Sequence, residues 1–253
     1  MQLYLIRHAQ SQNNVIIDDH ITDYQDSQGL KIYENQRFAD APLSERGYQQ
    51  AEQLGEFLVD SYLSSANGKY RDRFNFNNFD FTHLFVSPMI RTMDTAKPFV
   101  DRVDLKPIIW EDLHEQGGVW NLDQSSGQRI GFPGVTPEYI RIEYPDYRIQ
   151  ESMNPNGWWS RPYEEPEDCY KRSGKVLEAL IEQYGKTEDR IAIVTHSYFI
   201  NCILYYLFNL STVNREYIFV LNNASITRID FVKKRRMLVY QNRTDFLTLD
   251  LIT

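Results

Sequence analysis

Apolar residues along the chain fall into two kinds of segment. Residues 3–6, 79–86, 107–110 and 191–194 form short, largely apolar runs. Runs of this kind predict strands buried on both faces, as in a parallel sheet covered by helices. Between them the spacing predicts helices. One covers residues 44–60, with Ala51, Leu54, Phe57 and Leu58 on its apolar face. Another starts at Ser87-Pro88, with Ser87 as N-cap and Pro88 as the first helical residue. A third covers 170–184, with Val176, Leu177, Leu180 and Ile181 at helical spacing. A fourth, 198–208, is almost wholly apolar and therefore expected to be buried. Residues 217–221, 226–232 and 237–240 read as late strands. Strand and helix in alternation predict an α/β three-layer sandwich, with a mostly parallel central sheet and helices on both faces. Residues 1–253 read as a single domain.

Three regions break the alternation and read as insertions. Residues 15–41 are polar and long. Residues 63–78 hold Ser-Ser, Asn-Gly and Asn-Phe-Asn-Asn, a loop composition. Residues 116–166 gather six of the ten prolines and three of the four tryptophans. A segment of that length reads as a lid-like insertion over one end of the sheet. The pairs Trp158-Trp159 and Tyr163 are candidates for an aromatic lid or for simple loop packing.

Charge narrows the partners. The chain carries 27 basic and 35 acidic residues, a formal charge of −8, which argues against non-specific nucleic-acid binding. Its longest like-charge run, Lys233 to Arg236, is short and reads as a solvated turn between two strands. No run approaches the roughly 20 apolar residues of a membrane span. The opening Met-Gln-Leu-Tyr-Leu-Ile-Arg-His has no signal-peptide pattern, and two cysteines, Cys169 and Cys202, make neither a disulfide framework nor a zinc site. A cytoplasmic location is the expectation.

The chemistry-bearing residues follow the strands. Arg7-His8 comes directly after the first run. Ser87-Pro88 and then Arg91 come after the second, and Glu111, Asp112, His114 and Glu115 after the third. Thr195-His196-Ser197 comes after the fourth. In an open α/β sheet ligands bind beyond the carboxyl ends of the strands, so these groups are expected to converge there. Two guanidiniums beside two imidazoles make an anion site suited to phosphate.

These segments resemble one family in their order. The stretch Leu5-Ile6-Arg7-His8-Ala9-Gln10-Ser11-Gln12-Asn13-Asn14 is similar to the Arg-His-Gly signature of the histidine phosphatases, the superfamily that includes phosphoglycerate mutase and fructose-2,6-bisphosphatase. Leu43-Ser44-Glu45-Arg46-Gly47 through Ala51 resembles its Leu-Thr-x-x-Gly helix start. Ser87-Pro88-Met89-Ile90-Arg91 through Ala96 resembles its Ser-Pro-x-x-Arg segment. Leu113-His114-Glu115 and Val194-Thr195-His196-Ser197 match two more of its blocks. Ala9 and Ser197 stand where the family usually has glycine, and residues 116–166 do not resemble the substrate block of the mutases.

The resemblance implies a phosphatase that hydrolyses a phosphomonoester of a small molecule through a phosphohistidine on His8. Arg7, Arg91 and His196 would grip the phosphoryl oxygens, with Asn14 and Ser197 also binding phosphate or substrate. Glu115 would protonate the leaving oxygen and then activate water; Glu111 and Asp112 are its rivals. His114 reads as structural, His20 as a loop residue and His83 as a strand residue. Arg129, Arg141, Arg148 and Arg161 are candidates for holding a second anionic group. No cofactor and no metal is implied. The partners expected are a small phosphorylated substrate and, at most, a second copy of the chain in a homodimer, without nucleic acid or membrane. The alternatives are a mutase-type phosphoryl transfer, a non-catalytic phospho-ligand binding module, and a metal-dependent hydrolase.

Overall fold

Buried strands do form where the apolar runs predict them. In a computed structural model, which describes residues 1–21, 26–64, 79–210 and 218–253, the chain begins with β1 (Gln2–Arg7), α1 (Gln12–His20), α2 (Ser27–Gln36) and α3 (Glu45–Ser64). It continues with β2 (His83–Val86), α4 (Ile90–Val100), β3 (Ile108–Ile109), β4 (Trp120–Leu122), β5 (Arg129–Gly131) and α5 (Pro137–Glu143). The last part holds α6 (Pro166–Tyr184), β6 (Arg190–Thr195), α7 (Ser197–Phe208), β7 (Ile226–Val232) and β8 (Arg235–Arg243).

The central sheet has six strands in the order β3-β2-β6-β1-β7-β8. The first four in that order are parallel, and β7 and β8 are antiparallel. Alternate residues of each strand face opposite layers. Tyr4, Ile6, Ala192 and Val194 pack with Leu54 and Leu58 of α3 and with Met93 and Phe99 of α4. Leu3, Leu5, Ile191 and Ile193 pack with Val176, Leu177 and Leu180 of α6 and with Phe199 and Ile203 of α7. The three-layer α/β sandwich is therefore present, with helices on both faces. No described helix is long and apolar enough to cross a membrane.

Several local expectations are corrected. The strand expected over 79–86 begins only at His83. Asp80 has φ 22°, which turns the chain, while Phe79 and Phe81 stay buried by stacking edge-on against Tyr4. The strand expected over 107–110 is shortened to Ile108–Ile109. Residues 218–221 form no strand; they run beside α7 and are held by Asn201, and Tyr217 lies outside the described residues. Helix α4 starts at Ile90 with Met89 as its N-cap, not at Pro88 with Ser87: Met89 is still extended, and its carbonyl accepts the first helical bonds, from Thr92 and Met93 N–H. The polar region 15–41 is not loop: α1 and α2 lie in it, and His20 ends α1. Most of region 63–78 lies outside the described residues. The turn between β7 and β8 does fall on the basic run, with Lys233 at φ 54°.

Helix α3 fixes the loop that follows β1. Ser44 Oγ caps the helix by accepting from Gly47 N–H at 3.0 Å, and Gln10 O accepts from Ser44 N–H at 2.9 Å. Gln50 Oε1 accepts from Gln10 N–H at 2.7 Å. Gly47 lies against this loop: a Cβ there would stand 2.0 Å from the Gln10 carbonyl oxygen. Backbone cannot yield as a side chain does, so Gly47→Ala is expected to cost about 1–3 kcal/mol of stability through overpacking. Urea unfolding of both proteins measures it; an unchanged midpoint would show that the loop moves freely.

Candidate active site

The ends of three adjacent parallel strands assemble the site. In the pairing of β1 with β6, Arg7 stands opposite Thr195, and His8 N–H donates to the Thr195 carbonyl at 2.9 Å. In β2, Ser87 N–H donates to the Val194 carbonyl at 3.1 Å. His8, Ser87 and His196 are thus the first residues beyond β1, β2 and β6.

His8 is buried. Its Nδ1 lies 2.7 Å from the Ala9 carbonyl oxygen, which can only accept, so the ring hydrogen sits on Nδ1. The lone pair is left on Nε2, where Arg91 Nε–H donates to it at 3.3 Å. Burial, then the positive fields of Arg91 and Arg7, hold the His8 pKa well below the ordinary histidine value. The imidazole is therefore neutral at pH 7, the state a nucleophile needs. Thr95 ties this loop to α4, accepting from Ala9 N–H at 2.9 Å and donating to the Arg91 carbonyl at 2.6 Å.

His196 stands beside His8, with ring centroids 5.2 Å apart, and is fully buried. Ser87 Oγ accepts from Met89 N–H at 3.4 Å and lies in hydrogen-bond contact with His196 Nε2 at 2.9 Å. His196 Nδ1 is buried without a partner among the described residues. Burial and the charge of Arg91 hold this histidine neutral as well.

Glu115 reaches the start of α7. It accepts from Gln116 N–H at 2.9 Å, Phe199 N–H at 3.1 Å and Tyr198 N–H at 3.2 Å. These bonds favour the carboxylate, yet burial outweighs them and raises its pKa. Asn14 Oδ1 accepts from Ser11 N–H, the Ser11 hydroxyl and Asn223 Nδ2, which leaves the Asn14 amide hydrogens for a ligand. The Arg7 guanidinium donates to the Leu221 carbonyl.

Arg7, His8, Asn14, Arg91, Glu115 and Ser197 all line one cavity of about 810 Å³. His196 does not reach its wall and lies behind His8. The rival acids are elsewhere: Asp112 is exposed and Glu111 lines no part of the cavity. His114 is structural, its Nδ1 at 2.7 Å from the Glu111 carbonyl and its Nε2 at 3.5 Å from Glu164. Trp158 and Trp159 pack against His114 in the core and do not cover the cavity. Region 116–166 contributes a wall through Gln116, Gly118, Trp120, Arg129 and Tyr163. Among the described residues, no group of three or more His, Cys, Asp or Glu is placed to hold a metal ion.

The sequence model of the histidine phosphatase superfamily, branch 1, matches residues 71–244. The chain belongs to this superfamily. That stretch contains Arg91, Glu115 and His196, and the β1–β6 pairing brings Arg7 and His8 to them. A search of curated proteins finds no match. Among solved structures, phosphoserine phosphatase of Entamoeba histolytica with 3-phosphoglyceric acid has a TM-score of 0.55 at 16% identity, covering 98% of this chain and 99% of that one. Bacillus stearothermophilus YhfR has a TM-score of 0.58 at 18% identity, with 97% and 98% covered. A mycobacterial glucosyl-3-phosphoglycerate phosphatase bound to VO3 has a TM-score of 0.56 at 21% identity, with 96% and 99% covered. These likenesses establish the histidine phosphatase fold.

Asp40 is a site residue that sequence reasoning passes over. Its carboxylate lies 3.6 Å from the Arg91 guanidinium and accepts from Ile90 N–H at 3.3 Å, at the start of α4. Burial raises its pKa to about 6, against the opposing pull of Arg91. The only signal in the sequence is a lone acid between Ala39 and Ala41, just before Pro42-Leu43. An ionised Asp40 holds the Arg91 fork in place. Because its folded pKa is raised, the charge is lost as pH falls through about 6. His8, held well below its ordinary value, does not titrate in that window. Asp40→Asn is expected to lower turnover of p-nitrophenyl phosphate by roughly tenfold at pH 7.5, as loss of a charge-assisted hydrogen bond would. It should also flatten the decline in kcat below pH 6; an acid limb that survives unchanged would assign that titration to another group.

Proposed function

We propose that this histidine phosphatase hydrolyses phosphomonoesters of small molecules through a phosphohistidine on His8. The observation that carries the reading is a buried, neutral His8 whose Nε2 lone pair meets Arg91 on the wall of a cavity lined by a second arginine and a carboxyl group with raised pKa. The phosphatase names of two structural neighbours support it. In the first step Arg91 moves from His8 Nε2 to the phosphoryl oxygens. The Nε2 lone pair then forms the N–P bond as the bond from phosphorus to the leaving oxygen breaks. Glu115, as the carboxylic acid, gives its proton to that oxygen. In the second step water attacks phosphorus, the N–P bond breaks, and the Glu115 carboxylate takes the water proton. Arg7, Arg91 and Asn14 hold the charge that spreads over the equatorial oxygens, and the neutral His196, in the tautomer with hydrogen on Nδ1, adds a donor once Arg91 has shifted. The two guanidiniums take the part that a metal ion plays in other phosphatases.

Acid-labile, base-stable phosphate should be found on the peptide containing His8 after enzyme and substrate are quenched with base. An adduct on any serine or aspartate would overturn the assignment, and phosphate handed back to the substrate as an isomer, with none released, would favour the mutase reading. Glu115 is tested by leaving group. Glu115→Gln should slow hydrolysis of an alkyl phosphate by about 10²–10⁴-fold, the usual worth of general acid catalysis. The first step with p-nitrophenyl phosphate needs little protonation, so phosphoenzyme should accumulate there. Equal losses on both substrates, with no phosphoenzyme, would reduce Glu115 to its role at the start of α7.

A further inference from the structure

The cavity, about 810 Å³, is far larger than a phosphoryl group, and its wall carries further arginines. Arg37, directly after α2, lies with its guanidinium carbon 3.7 Å from the centroid of the Trp120 ring. Nη1 donates to the Trp120 carbonyl, and Nε donates to the Tyr33 hydroxyl at 3.3 Å. The ring contact and the two bonds together hold the group in place. A guanidinium has five N–H donors, so three remain. Among the described residues no carboxylate lies within ion-pair distance of Arg37. Its neighbour Arg129 differs: it also faces the Trp120 and Tyr163 rings, at 5.1 and 4.7 Å, but binds Glu34 at 2.6 Å. Arg161 stacks on Trp159 at 4.3 Å, and neither it nor Arg141 nor Arg148 lines the cavity. Arg37, Trp120 and Tyr33 line the same cavity as His8 and Arg91.

We infer that Arg37, held against Trp120, is a second anion site in the same cavity, so that the substrate is a compact phosphomonoester bearing a carboxylate or a second phosphate. The inference rests on the phosphatase reading above. The guanidinium is oriented before a ligand arrives, so binding an anion costs little further ordering. Its planar fork suits a carboxylate or phosphate edge, which a lysine does not match.

Steady-state phosphate release decides the matter with wild type, Arg37→Met and Arg37→Lys. The probes are O-phosphoserine and 3-phosphoglycerate for a carboxylate, fructose 1,6-bisphosphate for a second phosphate, and propyl phosphate for neither. Wild type is expected to prefer at least one of the anion-bearing probes to propyl phosphate in kcat/KM. Which probe is preferred identifies the anion. Arg37→Met should shrink that preference at least tenfold, chiefly through KM, and Arg37→Lys should restore part of it. A wild type without preference, or a ratio in Arg37→Met within twofold of wild type, overturns the inference. So does an equal loss on every probe, which would make Arg37 only a support for Trp120. If wild type releases phosphate from none of the probes, the phosphatase reading fails by itself. Calorimetric binding of 3-phosphoglycerate and propyl phosphate to wild type and Arg37→Met then tests the site, and equal affinities throughout overturn it.

Discussion

The parallel pairing of β1 with β6 sets Arg7 opposite Thr195, and the next residue on each strand is a histidine. The backbone bond from His8 N–H to Thr195 O extends that ladder by one more residue and brings the two imidazoles to 5.2 Å. Everything else at the site is arranged around this pair. β2 delivers Ser87 to one ring and α4 delivers Arg91 to the other. The loop after β3 places Glu115 on the start of α7, whose first residue follows His196 directly. Slipping β1 by one residue would turn Leu3 and Leu5 into the opposite layer and carry His8 away from its partners, so the hydrophobic core and the polar site specify the same register.

Burial then decides the charge states. Water is excluded around His8 and His196, and the guanidiniums beside them oppose any further positive charge, so both rings stay neutral. The same exclusion raises Glu115 and Asp40. Three peptide N–H groups pull Glu115 back toward ionisation, as Arg91 does Asp40, and in each case desolvation prevails. A cavity of this kind gathers cations within a chain whose formal charge is −8, which illustrates how little net charge says about one site.

Much of this was legible before the fold was known. The runs at 3–6 and 191–194 became Gln2–Arg7 and Arg190–Thr195, one residue longer at each end. Strands buried on both faces leave an unbroken apolar signal, and a histidine directly after each is hard to overlook. Where burial did not come from a sheet, the signal misled. Phe79 and Phe81 are buried as ring partners of Tyr4, and Phe219 lies beside α7 because the Asn201 amide bonds its backbone on both sides. The polar helix α1 buries only Asn13, so it has no apolar stripe to read. Asp40 and Arg37 are single charged residues in that same polar region. Their importance comes from Arg91 and Trp120, roughly 50 and 80 residues further along the chain, and short-range pattern carries no trace of partners so distant.

The central place of β1 also has a consequence in time. Gln2 pairs with Arg190 on one side and Asp230 on the other. At ribosomal speeds of about 5–20 residues per second, this apolar strand waits roughly 10–45 s before its second neighbour has been made. Both of its hydrogen-bonding edges are open until β6 is made, and one stays open until β7 follows, a state prone to association with other chains. His8 sits just beyond the end of that strand. No fragment that ends short of β6 has a neighbouring strand to hold it, so the strand made before its partners is among the last to become competent.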